Sequence, residues 1–231
     1  KAYDPAFAYE IAGIIHDGLM RMYEKEEDIF YYITLENENY LQPSIPDNVE
    51  EGIIKGMYIL KPGENGKLKV QLLASGSMVN EVIEASKLLK SDWDIDSDIW
   101  SVTSFSELHR EAEDKKRWNT LHPDKKNELS FVGSNLLIEN GPVIAVSDYV
   151  KLVAEQIAPY IDCPFVALGT DGFGRSETRK ELRTFFEVNR YYIVLTAMES
   201  LRTMGLVENV DVKKVISTYN LDPEKPNPIK V

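Results

Sequence analysis

The sequence predicts an α/β protein: a doubly wound mixed sheet of about five strands, four parallel and one antiparallel at its edge, preceded by the helix and strand remnant of another α/β domain. Three observations carry this. From residue 70 onward, short apolar runs rich in β-branched residues alternate with longer stretches of helical period, which implies parallel strands joined by right-handed crossovers. Two earlier runs, 57–60 and 70–74, are separated only by KPGENGKLK, where Pro62, Gly63 and Gly66 mark a turn; so short a link predicts an antiparallel hairpin. The chain also opens at Lys1 almost on top of a helix start, with Asp4 as N-cap and Pro5 in the first helical position. Domains seldom begin so abruptly, so a fragment whose upstream part has been removed is expected.

The first helix is expected to run to about Tyr23, with Ile11, Ile14, Ile15, Leu19 and Met22 on one face. Residues 29–34 (IFYYIT) then read as a buried strand, because aromatic and β-branched side chains dominate. A polar stretch follows, kept extended by Pro43 and Pro46, and residues 49–56 form a short helix. After the hairpin come a helix at 77–90, a strand at 99–103, a charged helix at 106–120, a strand at 143–147, a helix at 149–160 and a strand at 165–168. Helices near 191–204 and 210–219 precede an irregular tail containing Pro223, Pro226 and Pro228.

Composition narrows the function. With 231 residues, 43% hydrophobic and 28% charged, the chain is an ordinary globular one. A formal net charge of −12 argues against nucleic acid and against anionic membrane surfaces, since both require a basic stripe. No run is long and apolar enough for a membrane span, and no signal peptide is visible, which suits a cytoplasmic protein. The lone cysteine, Cys163, suits a buried thiol. His16, His109 and His122 are too scattered for a zinc site.

Residues 168–179, LGTDGFGRSETR, are the most informative stretch. An apolar run stops at Gly169, and glycines at 169, 172 and 174 demand positive φ or close backbone approach. Asp171 and Ser176 can satisfy free loop amides, with Ser176 as N-cap of the next helix. A strand turning sharply into a helix at its carboxyl end is where open α/β sheets carry functional loops, although a well-capped turn explains the same glycines. The link 74–77 (ASGS) could hold an anion on its amides; Ser75 or Ser77 as a plain N-cap is favoured. The acidic cluster around Glu36 and Glu38 could do acid–base work, or simply be a solvated loop. Lys115, Lys116 and Arg117 read as a solvated helix face, and Trp93, Trp100 and Trp118 as packing anchors. Among these residues no nucleophile elbow, Ser-His-Asp order or metal cluster appears.

Several segments together resemble one family. YDPAFAYEIAGIIHDGLMRMY (3–23), YYIT (31–34), NENY (37–40), EEGIIKG (50–56), SVTSFSEL (101–108), RWNTLHP (117–123), and LGTDGFGRSETR with FEV (186–188) are similar to the homodimeric bacterial pyruvate dehydrogenase E1 component, in order and without large gaps. A shorter D-x-F-G-x-S core, Asp171 to Ser176, is shared with transketolases. The resemblance covers only the C-terminal quarter or so of such an enzyme. It implies that residues 1–45 end a thiamine-pyrimidine-binding domain and that 46–231 are a transketolase-type C-terminal domain.

It further implies a thiamine diphosphate- and Mg²⁺-dependent enzyme that decarboxylates pyruvate, a 2-oxo acid, and passes the acetyl group to the lipoyl-bearing dihydrolipoyl acetyltransferase, E2. The cofactor supplies the electron sink and the protein supplies binding and electrostatics. The family's G-D-G…N motif for the Mg²⁺-diphosphate is absent: Asp171-Gly172 follows Thr170. The glutamate that protonates the aminopyrimidine is expected upstream of Lys1, so no cofactor-binding, metal or complete catalytic set is expected here and the isolated chain should be inactive. Tyr3 matches a family tyrosine beside the substrate-derived adduct. Leu41 stands where well-known members carry a substrate-contacting histidine, and leucine neither donates nor accepts a proton. Glu38 and Tyr40, within NENY, are expected to line the same pocket. The expected roles are scaffold, dimer contact and active-site channel; the rivals are a non-enzymatic dimerisation or docking module, and the C-terminal part of a transketolase.

Overall fold

A computed structural model describes residues 1–64, 66–137 and 141–231. The N-terminal segment contains β1 (Ala2–Tyr3), α1 (Ala8–Leu19) and β2 (Tyr32–Ile33), with β1 and β2 paired in parallel. After α2 (Glu50–Lys55) come β3 (Tyr58–Lys61), β4 (Lys69–Ala74), α3 (Met78–Trp93), β5 (Asp96–Ser101), α4 (Phe105–Leu121), α5 (Phe131–Asn135), β6 (Val143–Val146), α6 (Lys151–Glu155) and β7 (Phe165–Leu168). Three helices close the chain: α7 (Arg179–Phe185), α8 (Arg190–Thr203) and α9 (Asn209–Thr218).

Among the described residues β3 to β7 form one five-stranded sheet in the order β3-β5-β4-β6-β7. β3 is antiparallel to β5 at the edge, and the other pairings are parallel. Alternation along each strand explains the double winding. Val70, Leu72, Ala74, Ile99, Ile144 and Val146 face α3, α8 and α9, while Leu73, Trp100, Val143 and Ala145 face Phe105, Leu108, Val132 and Ala154. Both faces of β4 and β6 are therefore buried, as parallel strands require.

The mixed sheet with one antiparallel edge agrees with the expectation; several local readings are corrected. Runs 57–60 and 70–74 are not a hairpin, because β5 lies between β3 and β4. The link need span only about two strand spacings, roughly 10 Å, well within its reach; Asn65 in that predicted turn lies outside the described residues. Residues 29–34 are not a buried strand: β2 is two residues long, with Phe30 76% and Tyr32 65% exposed. Asp4 does not cap α1, which begins at Ala8 and ends in a π-helical turn, Met20–Glu24. Instead Glu10 Oε2 accepts from the amides of Ala6 and Phe7, the latter at 3.0 Å, and Asp4 Oδ1 accepts from Thr34 Oγ1 at 2.8 Å and Tyr149 Oη at 2.9 Å. Helix 149–160 is reduced to α6 and a separate 3-10 turn, Ala158–Tyr160.

Candidate functional site

All four parallel strands end at one edge of the sheet, at Ala74, Ser101, Val146 and Leu168. After β4 the chain moves to β5 on one side; after β5 it crosses to β6 on the other. The strand order thus reverses between β4 and β6, and outside the carboxyl ends of such strands an open α/β sheet has its natural crevice. The loops lining it are 75–77, 147–150 and 169–178.

The acidic segment after β2 is laid across this crevice. Glu36 accepts a hydrogen bond from the Ser77 amide at the start of α3. Gly76, at φ +53°, allows the approach: a Cβ there would stand 2.9 Å from Glu36 Oε1. The anion that the 74–77 link could hold is therefore the chain's own Glu36 carboxyl, placed where the helix dipole favours it. Ser77 occupies the N-cap position of α3, as expected, but its hydroxyl does not close the cap. Ser75 Oγ is buried with no partner among the described residues, and Ser77 Oγ accepts from Arg183 at 3.2 Å.

Glu36 also meets Asp148, from the end of β6. Burial, then the Asp148 charge, pushes the Glu36 carboxyl up; burial likewise pushes Asp148 up. Both residues are nonetheless solvent-exposed at the mouth of the crevice. Each carboxyl biases the ionisation of the other.

Glu38 is fixed by α7. Arg183 donates to Glu38 Oε2 at 2.8 Å and to Glu81 Oε1 at 3.4 Å. Arg190 holds Glu81 from the other side through Nε and NH2, each at 3.0 Å. Burial alone would raise the Glu81 carboxyl, yet the Arg190 and Arg183 contacts hold it below its ordinary value. Arg179 donates to the Asn37 carbonyl. Glu36, Asp148, Arg175, Arg179, Leu182 and Phe186 surround a cavity of about 310 Å³.

Other sequence candidates scatter. Tyr40 donates to the Ala6 carbonyl and meets the Phe7 ring edge-on at 6.2 Å; burial pushes its phenol up to about 12. Leu41 is 93% exposed. Tyr3 is enclosed, stacked on Tyr31, and donates to the Ile54 carbonyl at 2.9 Å. Glu38 and Tyr40 thus share one segment, with Glu38 turned to Arg183 and Tyr40 to Ala6. In the glycine loop, Thr170 anchors on Asp148 and Tyr149 carbonyls at 2.6 and 2.8 Å. Thr178, not Ser176, caps the following helix through the Glu181 amide at 3.3 Å. Asp148 and the arginines of α7 escaped the sequence reading. Arg179 and Arg183 stand four apart in RKELR, on one helical face, and that spacing was the available signal.

Against known proteins, residues 56–189 match the model of the transketolase-like TK C-terminal domain. The chain belongs to that family. Residues 1–43 match the pyruvate dehydrogenase E1 component middle domain. Pyruvate dehydrogenase E1 components from Cupriavidus necator, Pseudomonas aeruginosa and Escherichia coli K12 are 50%, 51% and 46% identical to it, over 100%, 99% and 98% of this chain. The chain spans about a quarter of the length of these relatives, 26% in each case, and matches their C-terminal part. A transketolase from Leishmania mexicana superposes with a TM-score of 0.60 at 19% identity, over 91% of this chain and 27% of its own. A split-gene transketolase described as an inactive β4 tetramer gives 0.54 at 17%, over 87% and 57%. At such identities these two show the fold alone.

The residues described do not fit a magnesium-bound diphosphate. No group of three or more His, Cys, Asp or Glu among them could hold a metal ion. Asp171, the acid of the glycine loop, turns its Oδ2 to the Lys151 amide at 3.3 Å. A hard cation bound through a diphosphate needs convergent oxygen ligands.

Proposed function

We propose that this chain serves a thiamine diphosphate-dependent pyruvate dehydrogenase E1 component, working in the reaction that decarboxylates pyruvate and delivers its acetyl group to lipoyl-E2. The observation that carries the reading is half-identity to enzymes of that name along the whole chain. Its described residues offer no convergent oxygen set for Mg²⁺ and diphosphate, so the cofactor would be held by other parts of the enzyme. Its contribution is architectural. Residues 1–45 close a pyrimidine-binding domain, 46–231 form the C-terminal domain, and the 36–41 segment borders the channel to the reacting centre in a homodimer. Leu41, 93% exposed, would face that channel, with Tyr40 anchored on Ala6 before it and Gln42 on Ala8 after it. Tyr3 would have to exchange its bond to Ile54 to touch substrate. The absence of any long apolar helix among the described residues agrees with a cytoplasmic enzyme.

The test uses the full-length protein with thiamine diphosphate, Mg²⁺ and a lipoyl domain. Acetylation of the lipoyl group from pyruvate is expected. Ketol transfer between sugars without acetylation would assign the protein to transketolases instead, and neither activity, together with saturable E2 binding, would leave a docking module.

A further inference from the structure

We propose that the crevice between Glu36–Asp148 and Arg175–Arg179 binds a small hydroxylated oxyanion, with its phosphate or carboxylate on the two guanidinium groups and its hydroxyls on the carboxyl pair. The site lies at the reversal point of the strand order, where such sheets take ligands. Its volume, about 310 Å³, matches the small end of ligand cavities.

The charges around it are unevenly satisfied. Arg183 is engaged by Glu38, Glu81 and Ser77. Arg175 has no carboxylate partner among the described residues; its guanidinium rests on the Phe185 ring, 5.2 Å from the centroid, which leaves its N–H edge open. Arg179 makes one hydrogen bond to the Asn37 carbonyl and stands 3.7 Å from Glu38. Of five guanidinium donors most remain available. Opposite them stand the Glu36 and Asp148 carboxyls. The two ends of the crevice therefore differ: planar donors suited to an oxyanion, and carboxyl oxygens suited to hydroxyl donors. Met78, Leu182, Phe186 and Val188 line the space between and suit a short carbon skeleton.

The arginine side is also pre-positioned. Gly172, at φ +114°, lies so close under residues 228–229 that a Cβ would stand 2.7 Å from the Pro228 carbonyl oxygen. Lys225 sits 5.6 Å from the same Phe185 ring that Arg175 covers and donates to the Phe185 carbonyl at 2.6 Å. The tail therefore pins the loop that presents Arg175, which lowers the ordering cost of binding.

The inference does not rest on the acetyl-transfer reading. It is tested by calorimetric titration of the full-length protein with inorganic phosphate, glycerol 3-phosphate and glycerate. Glycerol 3-phosphate or glycerate should saturate, binding about tenfold tighter than inorganic phosphate through the hydroxyl contacts. The stronger of those two tells phosphate from carboxylate. Arg175→Gln, which breaks no ion pair, should weaken that binding about tenfold, and Asp148→Asn should remove the advantage over inorganic phosphate. Circular dichroism of both variants checks that they fold, and Arg175→Lys should restore part of the affinity. No saturation by either hydroxylated anion, or an affinity indifferent to Arg175→Gln in a folded variant, would overturn the proposal.

Discussion

Replacing Arg183 by methionine should loosen the segment that carries Glu36, Glu38 and Leu41 from the C-terminal domain. Arg183 is only 15% exposed at its side chain and bridges Glu38, 21% exposed, to Glu81, 7% exposed. The short contact to Glu38, 2.8 Å, is charge-assisted and should stabilise by about 1.5–3 kcal/mol. The 3.4 Å contact to Glu81 adds little, because Arg190 still holds that carboxylate by three hydrogen bonds, at 2.9, 3.0 and 3.0 Å. Partial solvation of Glu38 argues for the lower half of the range, and loss of the Ser77 contact pushes the other way. A net cost of about 2–3 kcal/mol follows, or a melting point lower by roughly 4–12 °C for a chain of this size. Urea melts give the equilibrium figure, and a double-mutant cycle with Glu38→Gln isolates the pair, with an expected coupling of about 1–2 kcal/mol. Hydrogen exchange in residues 36–41 should rise in step. A coupling below about 0.5 kcal/mol, or unchanged exchange in that segment, would refute the latch.

Further outcomes are expected. Gly172→Ala places a Cβ against the Pro228 carbonyl at positive φ, so it should cost about 1–3 kcal/mol and speed proteolytic cleavage near residues 169–178. Leu41→His should change stability by less than about 0.5 kcal/mol, since Leu41 is 93% exposed, while altering pyruvate turnover in the full-length protein; an unaltered rate would exclude that position from the channel. Because Glu36 and Asp148 are both raised, their contribution to stability is fully present below the ordinary carboxylate range and is progressively lost as pH rises through their folded values. The urea midpoint should therefore fall, as pH rises above the ordinary carboxylate range, by more in the wild type than in Asp148→Asn; parallel profiles would remove the coupling.

Periodicity made the sheet and its burying helices legible, because Leu72, Leu73, Ile144 and Val146 announce strands covered on both faces. It could not order the strands. The link from Lys61 to Lys69 reads as a hairpin, yet the return of β5 beside β4 fills that place and leaves β3 to pair with the outer edge of β5. Cap placement failed where a tertiary partner intervened: Asp4 is taken by Thr34 and Tyr149, so Glu10 sets the start of α1. The crevice was half visible. Its glycine loop and acidic segment stand out in the sequence, but Glu38 and Arg183 are 145 residues apart, and no local pattern joins them. Segments shared with a known family bridged that gap for the family assignment; they did not reveal Asp148 or Glu81.

The most direct measurement is calorimetry of the 231-residue chain, first verified as folded by circular dichroism, with thiamine diphosphate and Mg²⁺. A chain that contributes framework and channel wall, with the cofactor held by other parts of the enzyme, should give no saturable heat. Saturable micromolar binding, abolished by Asp171→Asn, would contradict that division of labour.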